Sequence, residues 1–202
     1  QLYHLFNGKH KLTILWKNVA IKWQTVQKII DLSLGGMGQF LIDSISWVAL
    51  TRMNAEFGSA ALAGYTIAFR VLLFTILPAW GLSAAAATLV GQNLGAKKVR
   101  RAEQAVWLTT RYNVIFMASV TGIYILFSQG LAGFFTDIPE VQKVAAQGLW
   151  VIALGYVFFA VGMVLTQAFN GAGDTKTPAW INSAVLLGME VPLAYFLAFQ
   201  LG

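Results

Sequence analysis

Three charged residues lie inside long apolar runs: Asp43, Arg70 and Glu190. A charge at the middle of a bilayer costs about 3 kcal/mol on insertion scales, so such residues usually face a protein interior or a wet cleft and carry function. Low-dielectric surroundings disfavour the ionised form of a carboxylate. An acid held there can take a proton and give it up when a cation arrives, which is a minimal exchange mechanism. Asp43 is the first candidate for this role. Glu190 is the second; it faces the same cleft or pairs with Arg70. Trp47, Phe74, Tyr156, Phe158, Phe159 and Met163 offer apolar and cation–π surface to a flat organic cation, or pack toward lipid.

Enzyme chemistry is not expected. The chain has no Cys, and His4 and His10 lie outside the apolar runs. Neither a thiolate site nor a metal cluster follows from them, and no cofactor is implied. Gly171-Ala-Gly-Asp-Thr-Lys176 lacks the spacing of a phosphate-binding loop. An exchange of this kind would draw on an ion gradient, H⁺ or Na⁺.

The elements that position these residues read as membrane helices. The chain is 57% hydrophobic and only 11% charged, against roughly 25% charged in soluble domains. About 20 apolar residues cross a bilayer core. The expected fold is all-α: a polytopic bundle of about five spans, at 29–51, 60–90, 105–127, 144–169 and 179–200. In residues 1–28, Leu12, Trp16, Val19, Trp23 and Val26 recur at helical spacing with lysines largely off the stripe, which predicts an amphipathic cytoplasmic linker helix. Gly35, Gly36 and Gly38 allow close helix approach in the first span, and Ala84–Ala87 give the second a smooth face. Pro78 should loosen or kink the second span. Gly95 is expected to cap its end, Asp137 to cap the fourth span, and Pro139 to sit in that span's first turn.

Gln167–Pro178 must turn the chain between two spans. Within it Asp174 and Thr175 read as local caps, with gating as the alternative, and Asn170 and Gln167 as cross-helix hydrogen-bonding groups. Net charge is +6, but the basic residues cluster beside apolar runs, at Lys9–Lys28 and Lys97–Arg111. They are topology signals, and no nucleic-acid partner is expected. The Lys and Arg bias puts the N-terminal segment and the loop after the second span in the cytoplasm. Arg111 reaches toward headgroups, and Trp107, Trp150 and Trp180 read as interface anchors.

Four stretches resemble the multidrug and toxic-compound extrusion (MATE) family, in its C-terminal half. They are Gly58-Ser-Ala-Ala-Leu-Ala-Gly-Tyr, Val90-Gly-Gln-Asn-Leu-Gly-Ala-Lys-Lys, Phe135-Thr-Asp-Ile-Pro-Glu-Val, and Gly171-Ala-Gly-Asp-Thr-Lys-Thr-Pro. The resemblance covers about Leu34 to Gly202. It implies helices seven to eleven of twelve, in one lobe of a two-lobed antiporter that exports organic cations or drugs. The implied partners are a small organic cation, the lipid bilayer and an absent N-terminal lobe of the same transporter. The implied location is a bacterial inner (plasma) membrane. The chain starts at Gln1 and stops at Gly202 after an apolar run, so a longer protein is expected.

Family members commonly carry an acid, usually Glu, where this chain has Asp43. Na⁺-coupled relatives place a second acid about fifteen residues before the hairpin Asp. Phe159 stands there in this sequence, which disfavours a two-acid Na⁺ site of that type and leans toward H⁺. Two other readings stay open: a lipid-linked oligosaccharide flippase of related architecture, and a non-transporting membrane subunit.

Overall fold

The computed structural model describes residues 22–200. Most of the expected 1–28 linker helix lies outside the described residues. Its last turn, from Trp23, is the start of α1 (Trp23–Glu56). Then follow α2 (Ser59–Gly95), α3 (Val99–Gly133) and α4 (Pro139–Ala172). The last rod, Lys176–Phe199, comprises α5 (Lys176–Asn182), a π-helical segment (Ser183–Glu190) and α6 (Val191–Phe199). No strand occurs among the described residues.

Four of these rods are long and apolar enough to cross a membrane: α2, α3, α4 and Lys176–Phe199. Helix α1 has the length but not the apolarity, because Asp31, Gln39, Asp43 and several serines interrupt it. The long helices run 34 to 37 residues. At 1.5 Å per residue that is about 50–55 Å, well beyond a hydrocarbon core of about 30 Å. They must tilt or project into the headgroups.

The turns follow from local chemistry. Gly58 precedes α2 with φ +95°, a conformation only glycine adopts cheaply. Thr136 Oγ1 accepts from the Ile138 amide at 3.2 Å, and Pro139 opens α4. The expected Asp137 cap is absent, because the residue flanking the helix is Ile138. At the end of α4, Gly173 is left-handed. The amides of Gly173 and Asp174 donate back to Asn170 O and Phe169 O, which terminates the helix. The end of α2 uses the same pattern, but its left-handed residue is Lys97 at φ +58°, not the expected Gly95. Gly95 is simply the last helical residue.

The core belongs to α2, α3 and α4. Val71, Leu72, Met117, Val120, Tyr124, Leu149 and Tyr156 fill it, with alanines between them. Small residues set the spacing. A Cβ on Gly64 would lie 2.7 Å from the Val144 side chain, and one on Gly171 would collide with the Ala87 backbone. Helix α2 runs unbroken through Pro78. Side chains also bond across the seams, as in membrane bundles generally. Asn113 Nδ2 donates to Ser83 Oγ (3.1 Å) and Ala160 O (3.2 Å). Thr121 donates to Ala153 O, and Tyr124 to Val71 O.

Helix α1 lies outside this trio. It packs on α2 and on all three parts of the last rod, and does not touch α3.

Candidate functional site

Asp43, Trp47 and Thr51 are four residues apart, so they form one stripe on α1. Tyr65 and Phe69 stand at the same spacing on α2. The two stripes meet at Trp47 and Phe69, whose ring centroids are 5.8 Å apart, and along α2 the Tyr65 and Phe69 rings stack at 6.4 Å. The Thr51 hydroxyl donates to Trp47 O at 2.8 Å along its own helix.

Glu190 enters from the last rod as the final residue of the π-helical segment. Helix α1, which carries Asp43, packs on this segment, so the Asp43 and Glu190 carboxylates stand on neighbouring elements. The site is therefore two carboxylates beside a short aromatic wall, contributed by three separate parts of the chain. Asp43, Trp47 and Glu190 all lie on the accessible surface of the described chain. Ser46, one turn beyond Asp43, is buried, and its hydroxyl has no hydrogen-bond partner.

The π-helical segment ends at Glu190, and Pro192, in the first turn of α6, has no amide hydrogen to give the carbonyl of Gly188 four residues back. Such insertions recur at functional sites.

A second polar group ties α1 to the turn between α4 and α5. Gln39 Nε2 donates to Asn170 Oδ1 (3.1 Å) and Thr175 O (2.9 Å). Asn170 Nδ2 approaches Gln39 Oε1 and Gln167 Oε1, each at 3.4 Å. Thr175 Oγ1 donates to Leu32 O at 3.1 Å. Gly35 makes this approach possible, since a Cβ there would overlap the Thr175 side chain. Neither Gly36 nor Gly38 meets another element.

Asp174 is a local cap. Its Oδ1 accepts from the Thr177 amide at 3.0 Å and its Oδ2 from the Thr177 hydroxyl at 2.6 Å. Those bonds, the hydroxyl's first, hold the carboxyl below its ordinary range. Lys176 and Asp31 pair at 2.7 Å beside it.

The other candidates sit elsewhere. Tyr156 is buried in the α2–α3–α4 core, its hydroxyl 3.3 Å from Thr75 Oγ1, so it does not line an open cleft among the described residues. Met163 packs against the same core. Phe74, Phe158 and Phe159 point outward. Arg70 is exposed on α2 and forms no ion pair with Glu190. No group of three or more His, Asp or Glu that could hold a metal exists among the described residues.

The family model described as MatE matches residues 37–196. The chain belongs to the MatE family. It is 25% identical over 186 residues to a probable multidrug resistance protein NorM of Thermotoga maritima, covering 91% of this chain and 40% of that relative. It is 26% identical to a probable NorM of Pseudomonas aeruginosa, over 88% of this chain and 37% of that one. Multidrug resistance protein MdtK of Yersinia pseudotuberculosis is 25% identical, with 88% and 39% covered. A MATE structure solved in the straight conformation superposes with a TM-score of 0.90 at 20% identity, covering 98% of this chain and 44% of that one. A MOP superfamily transporter from Pyrococcus furiosus gives 0.80 at 18% identity, with 87% and 38% covered. The chain thus spans about 40% of the length of the curated relatives it matches. It is an integral membrane helix bundle of a multidrug-transporter family.

Proposed function

We propose that this chain is the C-terminal lobe of an antiporter that exports organic cations in exchange for H⁺ or Na⁺. One observation carries the reading: α1 packs on α2 and on the segment that ends at Glu190, which puts the exposed Asp43, Trp47 and Glu190 on elements adjoining the Tyr65 and Phe69 rings. Carboxylates supply charge for a cation, and aromatic faces add cation–π attraction. Proton or Na⁺ and cargo then compete for the same negative charge. Asp43 is the coupling acid and Glu190 its partner.

In this reading α1 crosses the membrane despite its polarity, because its polar stripe faces the site and the hairpin rather than lipid. The basic ends of the bundle, at Lys22–Lys28, Lys97–Arg101 and Lys176, lie in the cytoplasm. The open face of the Asp43 cluster meets an N-terminal lobe of the same transporter.

The test is drug susceptibility in cells expressing the complete transporter. Asp43→Asn abolishes resistance, and Glu190→Gln reduces it. Wild-type resistance in the Asp43→Asn strain refutes the assignment.

A further inference from the structure

We propose that the first three turns of α3 bind the headgroup of an anionic glycerophospholipid. Arg100, Gln104, Trp107 and Arg111 follow one another by four, three and four residues, which is one stripe of a helix. With Glu103 and Leu108 they line a groove of about 470 Å³. All six residues are exposed, whereas Ala102, Thr109, Thr110 and Asn113, on the other side of α3, are buried.

The fold turns this groove away from the Asp43 cluster. Helix α3 packs only on α2 and α4 and has no contact with α1. The groove therefore faces away from the Asp43 cluster, and in this proposal that side meets lipid. Its chemistry fits one phosphodiester. Two guanidiniums oppose the single carboxylate of Glu103, leaving one net positive charge for one monoanionic phosphate. Guanidinium donors suit phosphate oxygens. The Trp107 indole prefers headgroup depth. Glu103 and Gln104 offer hydrogen bonds to hydroxyls of the head, and Leu108 offers apolar contact to the start of an acyl chain. Lys97, Lys98 and Arg101, beside the groove, concentrate anionic lipid there. The inference needs membrane insertion but no particular cargo or coupling ion.

The test is native mass spectrometry of the complete transporter, released from micelles holding equal phosphatidylglycerol and phosphatidylcholine. The wild type should retain one phosphatidylglycerol with roughly tenfold preference. Arg100→Gln with Arg111→Gln should bring the preference near parity. Lys97→Gln with Lys98→Gln removes the same charge outside the groove and should keep it. Matched circular dichroism and melting of the two double variants establish that both fold; Trp107→Ala, which leaves every charge in place, should also weaken retention. Equal loss in both double variants, no preference in the wild type, or displacement of the lipid by an equal concentration of soluble glycerol phosphate would overturn the proposal.

Discussion

Gln39 and Asn170 are 131 positions apart in sequence and hold each other through their carboxamides, at 3.1 Å in one direction and 3.4 Å in the other. This pair fastens α1, which carries Asp43, to the end of α4. Interhelical polar contacts in membrane proteins average about 0.6 kcal/mol and reach about 1.7. A double-mutant cycle of Gln39→Ala and Asn170→Ala, read by thermal unfolding in detergent, should give a coupling in that range. A coupling of zero would mean that the pair does not hold α1.

Gly171 and Ala87 set the distance between α4 and α2. A methyl group on Gly171 would meet the Ala87 backbone, which has no rotamer to move. Overpacking of this kind typically costs about 1–3 kcal/mol. Gly171→Ala should lower the melting temperature measurably. Gly162→Ala, on the same helix but with nothing within 4 Å of the added carbon, should not.

Lys97 occupies the left-handed conformation without being glycine. That conformation costs an ordinary residue about 1–2 kcal/mol. Glycine relieves the strain but loses about 0.5–1 kcal/mol of chain entropy. Lys97→Gly should therefore be stabilising by up to about 1.5 kcal/mol in the same unfolding assay, and Lys97→Val destabilising.

Asp174 supplies a pH-dependent cap. Its carboxyl is held below the ordinary value near 3.9 by the Thr177 hydroxyl and amide. A depressed native value means that the bonds favour folding above the unfolded value and are lost as pH falls through the native one. The cap should thus be intact at neutral pH and open only in acid, below the ordinary carboxylate range. Amide exchange at Thr177 across an acid titration measures this. Asp174→Ala should raise exchange there at neutral pH and converge with the wild type in acid, where the wild-type cap has already opened.

Much of the bundle was legible because hydrophobic composition is a local property. Apolar runs located α2, α3 and α4, and Pro139 and the Gly171–Gly173 stretch located two of their ends. The site was legible only in part. Asp43, Trp47 and Glu190 stand out as charges or an aromatic within apolar runs, and they lie on elements that pack together. Tyr65, Phe69 and Thr51 were not singled out, since nothing distinguishes one aromatic or hydroxyl in a span from another until two helices meet. Tyr156 shows the converse: its ring suited a cleft, yet it is buried in the core with its hydroxyl 3.3 Å from Thr75 Oγ1. Gln39 was passed over for the same reason, as its partners lie across the fold. The π-helical segment left a usable trace, an acid two residues before Pro192 in an apolar run. The left-handed turn went to Lys97 because two back-donated amide bonds, from Lys97 and Lys98, define the stop, and the residue at that position must comply.

The most direct measurement is uptake of a fluorescent organic cation by vesicles containing the complete transporter, driven by an imposed H⁺ or Na⁺ gradient. The wild type should accumulate dye against its gradient, and Asp43→Asn should match protein-free vesicles. Accumulation by Asp43→Asn at the wild-type rate would contradict the account.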